Sequence, residues 1–375
     1  MRVLICPDKF AGTLSAPEVA EALAEGWGSV AAESKLTRRP LADGGPGFVE
    51  VLATALGGTR IPVSTVDPLG RPAAGEVLLA DGVAYVESAQ ACGLHLLAPE
   101  ERDPRRATSF GLGALLAAAA ESGARTVVVG LGGSATNDGG AGMLAALGAA
   151  PVDATGTVLP YGGAALADCD RLSGTAALRG IRLVAATDVD NPLCGLHGAS
   201  NVFGPQKGAS REDVLTLDAV LERFAAVLAR DVPGCPPGVR DLPGAGAAGG
   251  IGAALFALGA TRESGVDLVR SATGLDAALD AADLVITGEG SFDFQSLRGK
   301  LVSGVAAAAT ERGIPCVVVA GQVSVGRREA SSAGVTETHS LVDHFGSVEQ
   351  AMAEPAEGLR ALAARLARQW DRPSG

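Results

Sequence analysis

Short runs of consecutive apolar residues alternate along this chain with longer segments in which apolar positions recur every three to four residues. The runs at 3–6, 126–130, 181–187, 283–287 and 315–320 read as strands with both faces buried, the pattern of a covered parallel sheet. Helical spacing fills 107–122, 140–149, 210–230, 302–312 and 348–370, and a shorter helix is expected over 48–56. Ser15-Ala-Pro-Glu18 has capping-box spacing with proline in the first turn, so a helix should continue through Val19, Leu23 and Trp27. Between about 60 and 87 the texture changes to short strands and tight turns, with Asp81-Gly82 as a hairpin signal. Strand–helix alternation then resumes.

This order predicts an α/β protein. Both chain ends share one strand–helix texture, so they are expected to form one discontinuous parallel-sheet domain, 1–59 with 281–375. Residues 60–280 would then be an inserted α/β domain with a mixed sheet, and ligands would bind in a cleft between the two. A length of 375 residues already makes two cores the default.

Composition narrows the function. Hydrophobic residues make up 47% but aromatics only 3%, so both cores must be built from Ala, Val and Leu. A net charge of −12 argues against a general nucleic-acid binder, yet a local cationic pocket could still hold an anionic substrate. Cys6, Cys92, Cys169, Cys194, Cys235 and Cys316 are scattered without a C-x-x-C pair, which reads as reduced thiols in a cytoplasmic protein. The first six residues read as a strand entering a motif rather than a signal peptide. No apolar stretch approaches the roughly 20 residues of a membrane span. Of 30 basic residues only Lys9, Lys35, Lys207 and Lys300 are lysines, and three of these lie in Gly- or Pro-marked motifs.

The chemistry concentrates in loops after strands. Residues 130–142, Gly-Leu-Gly-Gly-Ser-Ala-Thr-Asn-Asp-Gly-Gly-Ala-Gly, follow a buried strand and lead into a helix. Glycines there let backbone N–H groups approach a phosphate, and a helix start adds positive dipole. Gly132, Gly133, Ser134, Ala135, Thr136, Asn137 and Asp138 are therefore candidates for holding a nucleotide or another phosphorylated molecule. Asp8 and Lys9 sit at the carboxyl end of the first strand, where open α/β sheets bind ligands. Asp43-Gly44-Gly45 forms a second small-residue turn. Asp188, Asp190 and Asn191 follow the strand at 181–187, where a carboxylate can hold Mg²⁺ or accept a hydroxyl proton. Lys207 is followed by Gly208 in Gly-Pro-Gln-Lys-Gly, able to meet a phosphate oxygen. Glu289 stands between Gly288 and Gly290 at another strand end, ahead of Asp293, Gln295 and Lys300, as a ligand for metal or a ribose hydroxyl. Gly244-Ala-Gly-Ala-Ala-Gly249 fits a dinucleotide fingerprint but has no strand before it, so it reads as a tight helix approach or part of a phosphate turn. No Walker A or G-x-S-x-G sequence is present, and the four histidines have no metal-ligand spacing.

Taken together, these blocks resemble the bacterial glycerate kinase family of the ATP-dependent 2-kinase type. The matching pieces are Pro7-Asp-Lys-Phe with Leu14-Ser-Ala16, Ala42-Asp-Gly-Gly45, Gly132 through Gly140, Asp188 through Leu193, Val202 through Ala209, Gly244 through Gly250 and Ile286-Thr-Gly-Glu-Gly290. The resemblance implies a flavodoxin-like domain from both chain ends with an inserted α/β domain. It implies transfer of the γ-phosphoryl of ATP to a hydroxyl of glycerate, favouring 2-phosphoglycerate. It also implies catalytic roles for Asp188, Lys207 and Asp8; glycerate contacts at Lys9, Asp43, Gly44, Gly45 and Asn191; ATP contacts along Gly132–Asp138 and at Gly288 and Gly290; and Mg²⁺ at Asp188 and Glu289. Pro46, Ser291 and Ala11 depart from the pattern, where Glu, Arg and a basic residue are usual. Two alternatives stay open: a kinase for another small hydroxy acid, and a non-catalytic sensor of a phosphorylated metabolite. Oligomeric state is left open.

Overall fold

The computed structural model describes residues 1–176, 178, 180–297 and 301–371. In chain order its strands are β1 (Arg2–Ile5), β2 (Lys35–Arg38), β3 (Thr59–Val66), β4 (Pro72–Ala80), β5 (Val83–Glu87), β6 (Thr126–Gly130), β7 (Ala149–Val152), β8 (Arg171–Gly174), β9 (Arg182–Ala186), β10 (Thr261–Glu263), β11 (Leu284–Phe292), β12 (Cys316–Val323) and β13 (Glu337–Ser340). The protein is α/β, with one parallel sheet and one mixed sheet. The chain divides into two units.

The first unit comprises Met1–Ala42, Glu50–Leu56 and the chain from Val269 onward. Its sheet runs β13-β12-β11-β1-β2 and every pairing is parallel. Counted within the unit, the order is 2-1-3-4-5, so the direction of winding reverses between β1 and β11. Val3, Ile5, Leu284, Ile286, Val317 and Val319 supply the sheet's share of the core. Helix Ala16–Gly28 begins as its sequence predicts: Glu18 Oε2 accepts from the Ser15 backbone N–H at 2.8 Å. This helix buries Val19, Leu23 and Trp27 and lies against helix Pro355–Trp370.

The second unit comprises Asp43–Val49 and Gly57–Leu268. Its sheet runs β10-β9-β6-β5-β4-β3; β3, β4 and β5 form an antiparallel meander, and β5, β6, β9 and β10 are parallel. Ala80 pairs with Val83, leaving Asp81-Gly82 as a two-residue turn with φ of 50° and 76°, the hand that matches strand twist. The core is Ala, Val and Leu with Phe224 as its largest fully buried side chain.

Several boundaries differ from the sequence pattern. The helix expected over 348–370 is two, Val348–Ala353 and Pro355–Trp370, because Pro355 cannot donate the N–H a continuous helix needs and Glu354 leaves helical geometry (φ −127°, ψ 45°). The helix expected from 107 starts at Phe110, since the N–H and hydroxyl of Ser109 are committed to Asp138. The helix expected over 140–149 ends at Ala146; Gly148 turns at φ 101° and the chain enters β7, one arm of a β7–β8 hairpin that the apolar pattern does not show. The strand expected over 283–287 continues to Phe292, so Gly288-Glu289-Gly290 lies within β11 and pairs with β12. Lys300 lies outside the described residues. No described helix is long and apolar enough to cross a membrane.

Gly26 marks where the two helices of the first unit meet most closely. A Cβ there would lie 2.2 Å from the Arg360 carbonyl oxygen, which is backbone and cannot swing away. Alanine in place of a helical glycine normally gains about 1 kcal/mol. Here Gly26→Ala is expected to lower stability, because the overlap outweighs that gain; urea denaturation followed by circular dichroism would show the midpoint fall, and a rise would refute the close approach.

Candidate active site

In the second unit, loops from the carboxyl ends of β6 and β9 meet the turn at 43–45. A Cβ on Gly132 would lie 2.7 Å from the Gly45 Cα, and one on Gly44 would lie 2.9 Å from the carbonyl oxygen of Ala186. Gly265 closes the same patch after β10, its Cβ position being 2.5 Å from the Asp43 carbonyl oxygen and 3.3 Å from Asp188 Oδ2. Asp43, Gly44, Gly45, Gly132 and Asp188, distant in sequence, are thus neighbours.

The glycine-rich turn is braced from beneath. Lys207, only 2% exposed, donates from Nζ to Ser134 Oγ at 3.0 Å and to the Thr136 carbonyl at 2.7 Å. Asp138 is 1% exposed; its Oδ2 accepts from the N–H and hydroxyl of Ser109, each at 2.8 Å, and from Gly142 N–H, while Oδ1 accepts from Gly140 N–H. Asn137 Nδ2 donates to Ser200 Oγ at 2.8 Å. Residues 247–250 pack against the turn so closely that a Cβ on Gly249 would sit 1.9 Å from the Thr136 carbonyl oxygen, and Gly249's own carbonyl accepts from Gly139 N–H. The 244–249 glycines therefore serve a close approach, one of the two readings the sequence leaves for them.

Burial sets the charge balance here. Desolvation pulls the Lys207 ammonium down to about 7, partly countered by the Asp138 carboxylate. Desolvation likewise pushes Asp138 up, opposed by its bonds to Ser109, Gly142 and Gly140. Of the backbone N–H groups from Gly132 to Asp138, only that of Ala135 has an acceptor among the described residues. Gly133 is exposed and Gly132 half-buried, so the outer rim of this row of donors reaches solvent.

Asp188 stands beside the row. Ser264 donates its hydroxyl to Oδ1 at 2.6 Å, and Val266 N–H donates to Oδ2 at 3.1 Å. Its outer edge meets solvent, yet the groups packed around the carboxylate cost it hydration and raise its pKa; the two hydrogen bonds oppose this, and the carboxylates of Asp43 and Asp267 add to it. Asp190 instead forms a surface ion pair with Arg262 at 2.6 Å. Asn191 Nδ2 donates to the His197 carbonyl at 2.7 Å, which folds its loop back on itself. Among the described residues no group of three or more His, Cys, Asp or Glu side chains is arranged to hold a metal by itself.

In the first unit, Asp8, Lys9, Glu289 and Gly290 line a pocket of about 350 Å³ at the carboxyl ends of β1, β11 and β12. Lys9 Nζ lies 3.5 Å from Asp8 Oδ1, and Asp8 N–H donates to the Gly288 carbonyl at 2.8 Å. Leu341, Val348 and Met352 also line it.

The glycerate kinase family pattern matches residues 3–371. The chain belongs to the glycerate kinase family. It is 40% identical to a glycerate 2-kinase of Escherichia coli (strain K12), over 98% of each chain. It is 39% identical to a glycerate kinase of Bacillus subtilis (strain 168), covering 98% of this chain and 97% of the relative. A solved structure provisionally assigned as a glycerate kinase 2, from Salmonella typhimurium LT2, superposes with a TM-score of 0.79 at 39% identity, covering 99% of this chain and 98% of the other. The protein is accordingly an ATP-dependent glycerate kinase, a phosphotransferase acting on a small molecule.

Several supporting residues of this kinase escape the sequence pattern. Ser264 and Val266 fix Asp188, Ser109 satisfies Asp138, and buried Glu87 accepts from Gly47 and Val49 N–H at the start of helix Phe48–Leu56. None has a distinguishing neighbourhood in sequence; a serine after a short strand is ordinary.

The buried lysine makes a prediction about pH. Between about 7 and the ordinary lysine value of 10.5, the unfolded chain holds the Lys207 proton and the folded chain does not. Stability from this residue therefore rises with pH across that window. In urea titrations, wild type should gain stability relative to Lys207→Met as pH rises from 7 towards 10; a pH-independent difference would show that Lys207 keeps its ordinary pKa.

Proposed function

We propose that this enzyme phosphorylates the 2-hydroxyl of glycerate, giving 2-phosphoglycerate, with the donor phosphates held by the turn Gly132–Asp138. The observation that carries the assignment is the row of backbone N–H groups that, Ala135 aside, have no acceptor among the described residues, set over a buried lysine. Backbone donors that face no carbonyl are rare, and in a glycine-rich turn ahead of a helix they suit phosphate oxygens. Ser134, Thr136 and Lys207 act together: Lys207 fixes the turn from below through its bonds to the Ser134 hydroxyl and the Thr136 carbonyl. Asp138 and Asn137 hold the turn's shape through Ser109 and Ser200.

Asp188 is the proposed acid–base and cation-binding centre. Each of its oxygens accepts a single hydrogen bond and keeps a lone pair, and its neighbours Asp43 and Asp267 make the spot electronegative, which fits a hard cation such as Mg²⁺. Magnesium of this kind, when bound, neutralises charge on phosphate oxygens. The same raised pKa favours proton acceptance. In the transfer, the acceptor hydroxyl oxygen bonds to the γ-phosphorus, the bond from that phosphorus to the β–γ bridging oxygen breaks, ADP leaves, and the hydroxyl proton passes to the carboxylate. We assign the glycerate carboxylate to the backbone of Asp43-Gly44-Gly45, with Asn191 shaping the neighbouring loop. Asp8, Lys9, Glu289 and Gly290 line the first unit's pocket, and Gly288 precedes Glu289 in β11; Glu289 is the second candidate for the metal and Asp8 the second for the base. We also read the 2-1-3-4-5 parallel sheet as flavodoxin-like, and the six unbridged cysteines as fitting a cytoplasmic enzyme.

The regiochemistry is open to direct test. Product made from Mg·ATP and glycerate should be dehydrated by enolase without added phosphoglycerate mutase; a requirement for the mutase would mean the 3-hydroxyl is the acceptor. Asp188→Asn is expected to lower kcat by about 10²-fold or more. A higher Mg²⁺ requirement in that variant marks a metal ligand, an unchanged requirement with a lost acidic limb in the pH profile marks the base, and near-normal turnover excludes both.

A further inference from the structure

Two small-residue turns of the second unit lie side by side in step. The Cβ position of Gly44 is 3.7 Å from the backbone nitrogen of Leu131, that of Gly45 is 3.7 Å from the Cα of Gly132, and that of Gly133 is 2.9 Å from the Cδ of Pro46 and 3.0 Å from its Cγ. Residues 44–46 thus run along residues 131–133. Among the described residues no backbone hydrogen bond joins the two runs, so they meet by packing. The last contact of the run sets a proline ring against a glycine in the left-handed region, φ 62°. The ring itself is firmly placed. Proline fixes its own φ, and both its neighbours are committed. Gly45 N–H donates to Asp43 Oδ1 at 3.1 Å, the Gly45 carbonyl accepts from Phe48 N–H at 3.1 Å, and Gly47 N–H donates to Oε2 of buried Glu87 at 3.1 Å.

Charge is sorted along the same patch. Asp43 stands at one end, where the Cβ position of Gly265 is 2.5 Å from its carbonyl oxygen and 3.3 Å from Asp188 Oδ2. At the other end the half-buried Pro46 ring borders exposed Gly133, in the stretch where the N–H groups of Gly132, Gly133 and Ser134 have no acceptor among the described residues. We infer that Pro46 is a positioning and charge-selecting residue for phosphate: its ring wedges Gly133 into the bent shape of the turn and keeps the rim beside the N–H row free of carboxylate. A glycine turn without the wedge would have to be ordered each time an anion binds, which weakens binding. An acid at this position would face several phosphate charges across a short distance. The inference rests on reading Gly132–Asp138 as the phosphate cradle. Pro46 is also a position where the chain departs from the pattern of its family, so the inference concerns this chain and not the family at large.

Inorganic tripolyphosphate probes the rim without a base or a sugar. Its binding would be read by calorimetry, in the presence of EDTA, for wild type, Pro46→Gln, Pro46→Glu and Pro46→Gly, each checked for native circular dichroism. Pro46→Glu should bind about tenfold or more weakly than Pro46→Gln, which has nearly the same size, and raised salt should narrow that gap. A purely structural role would move both variants equally and leave their ratio independent of salt. Pro46→Gly should bind about threefold or more weakly than wild type, because it loses order and not charge. If Pro46→Gly does not fold, the comparison of Glu with Gln still decides. Equal affinity in the Glu and Gln variants, or wild-type affinity in Pro46→Gly, overturns the inference and leaves the phosphate reading of the turn in place. Failure of wild type itself to bind tripolyphosphate removes that reading, and the inference with it.

Discussion

The contact on which the second unit's glycine-rich turn depends is the buried side chain of Lys207. Lys207 reaches the inside of a glycine-rich turn and ties together a hydroxyl and a carbonyl two residues apart. Without it, a loop rich in glycine would cost considerable conformational entropy to hold in one shape. Asp138 does the complementary work on the far side, gathering the N–H and hydroxyl of Ser109 and the N–H groups of two glycines. Both side chains pay a desolvation penalty, visible as opposite displacements of their pKa values.

The supports also explain why the turn's polar side chains have different duties. Ser134 through Asp138 are nearly or fully buried, so most of the side-chain polarity of this motif faces inward. What reaches solvent is the turn's rim at Gly132 and Gly133. Asp188 is arranged in the opposite way, with its carboxylate oriented by Ser264 and Val266 from behind and its outer edge in solvent.

Much of this is legible in sequence because strand–loop–helix punctuation is a local signal. Asp81-Gly82 becomes the two-residue turn its composition demands, and the runs at 126–130 and 181–187 become β6 and β9 almost residue for residue. The small-residue turns at 43–45 and 132–138 are found by glycine content, and they prove to be neighbours. What sequence withholds is partnership. That Lys207 points into the turn instead of at solvent follows from burial, which a lysine between glutamine and glycine does not announce. Ser109, Ser200 and Ser264 are ordinary serines until tertiary structure gives each an acid or amide to hold. Glu289 looks like a strand-end residue because glycines flank it, but pairing with β12 carries the strand past it. The short β7–β8 hairpin has too few apolar residues to show a period at all.

The chain's preference for arginine has a practical corollary once Lys207 is seen to be sealed in. Lysine accounts for only four of the 30 basic side chains, and one of those four is closed off from solvent. Reagents that acylate amines thus have the N-terminus and at most three side chains to attack, so resin coupling or cross-linking through amines will join the molecule at very few points and leave the glycine-rich turn chemically untouched.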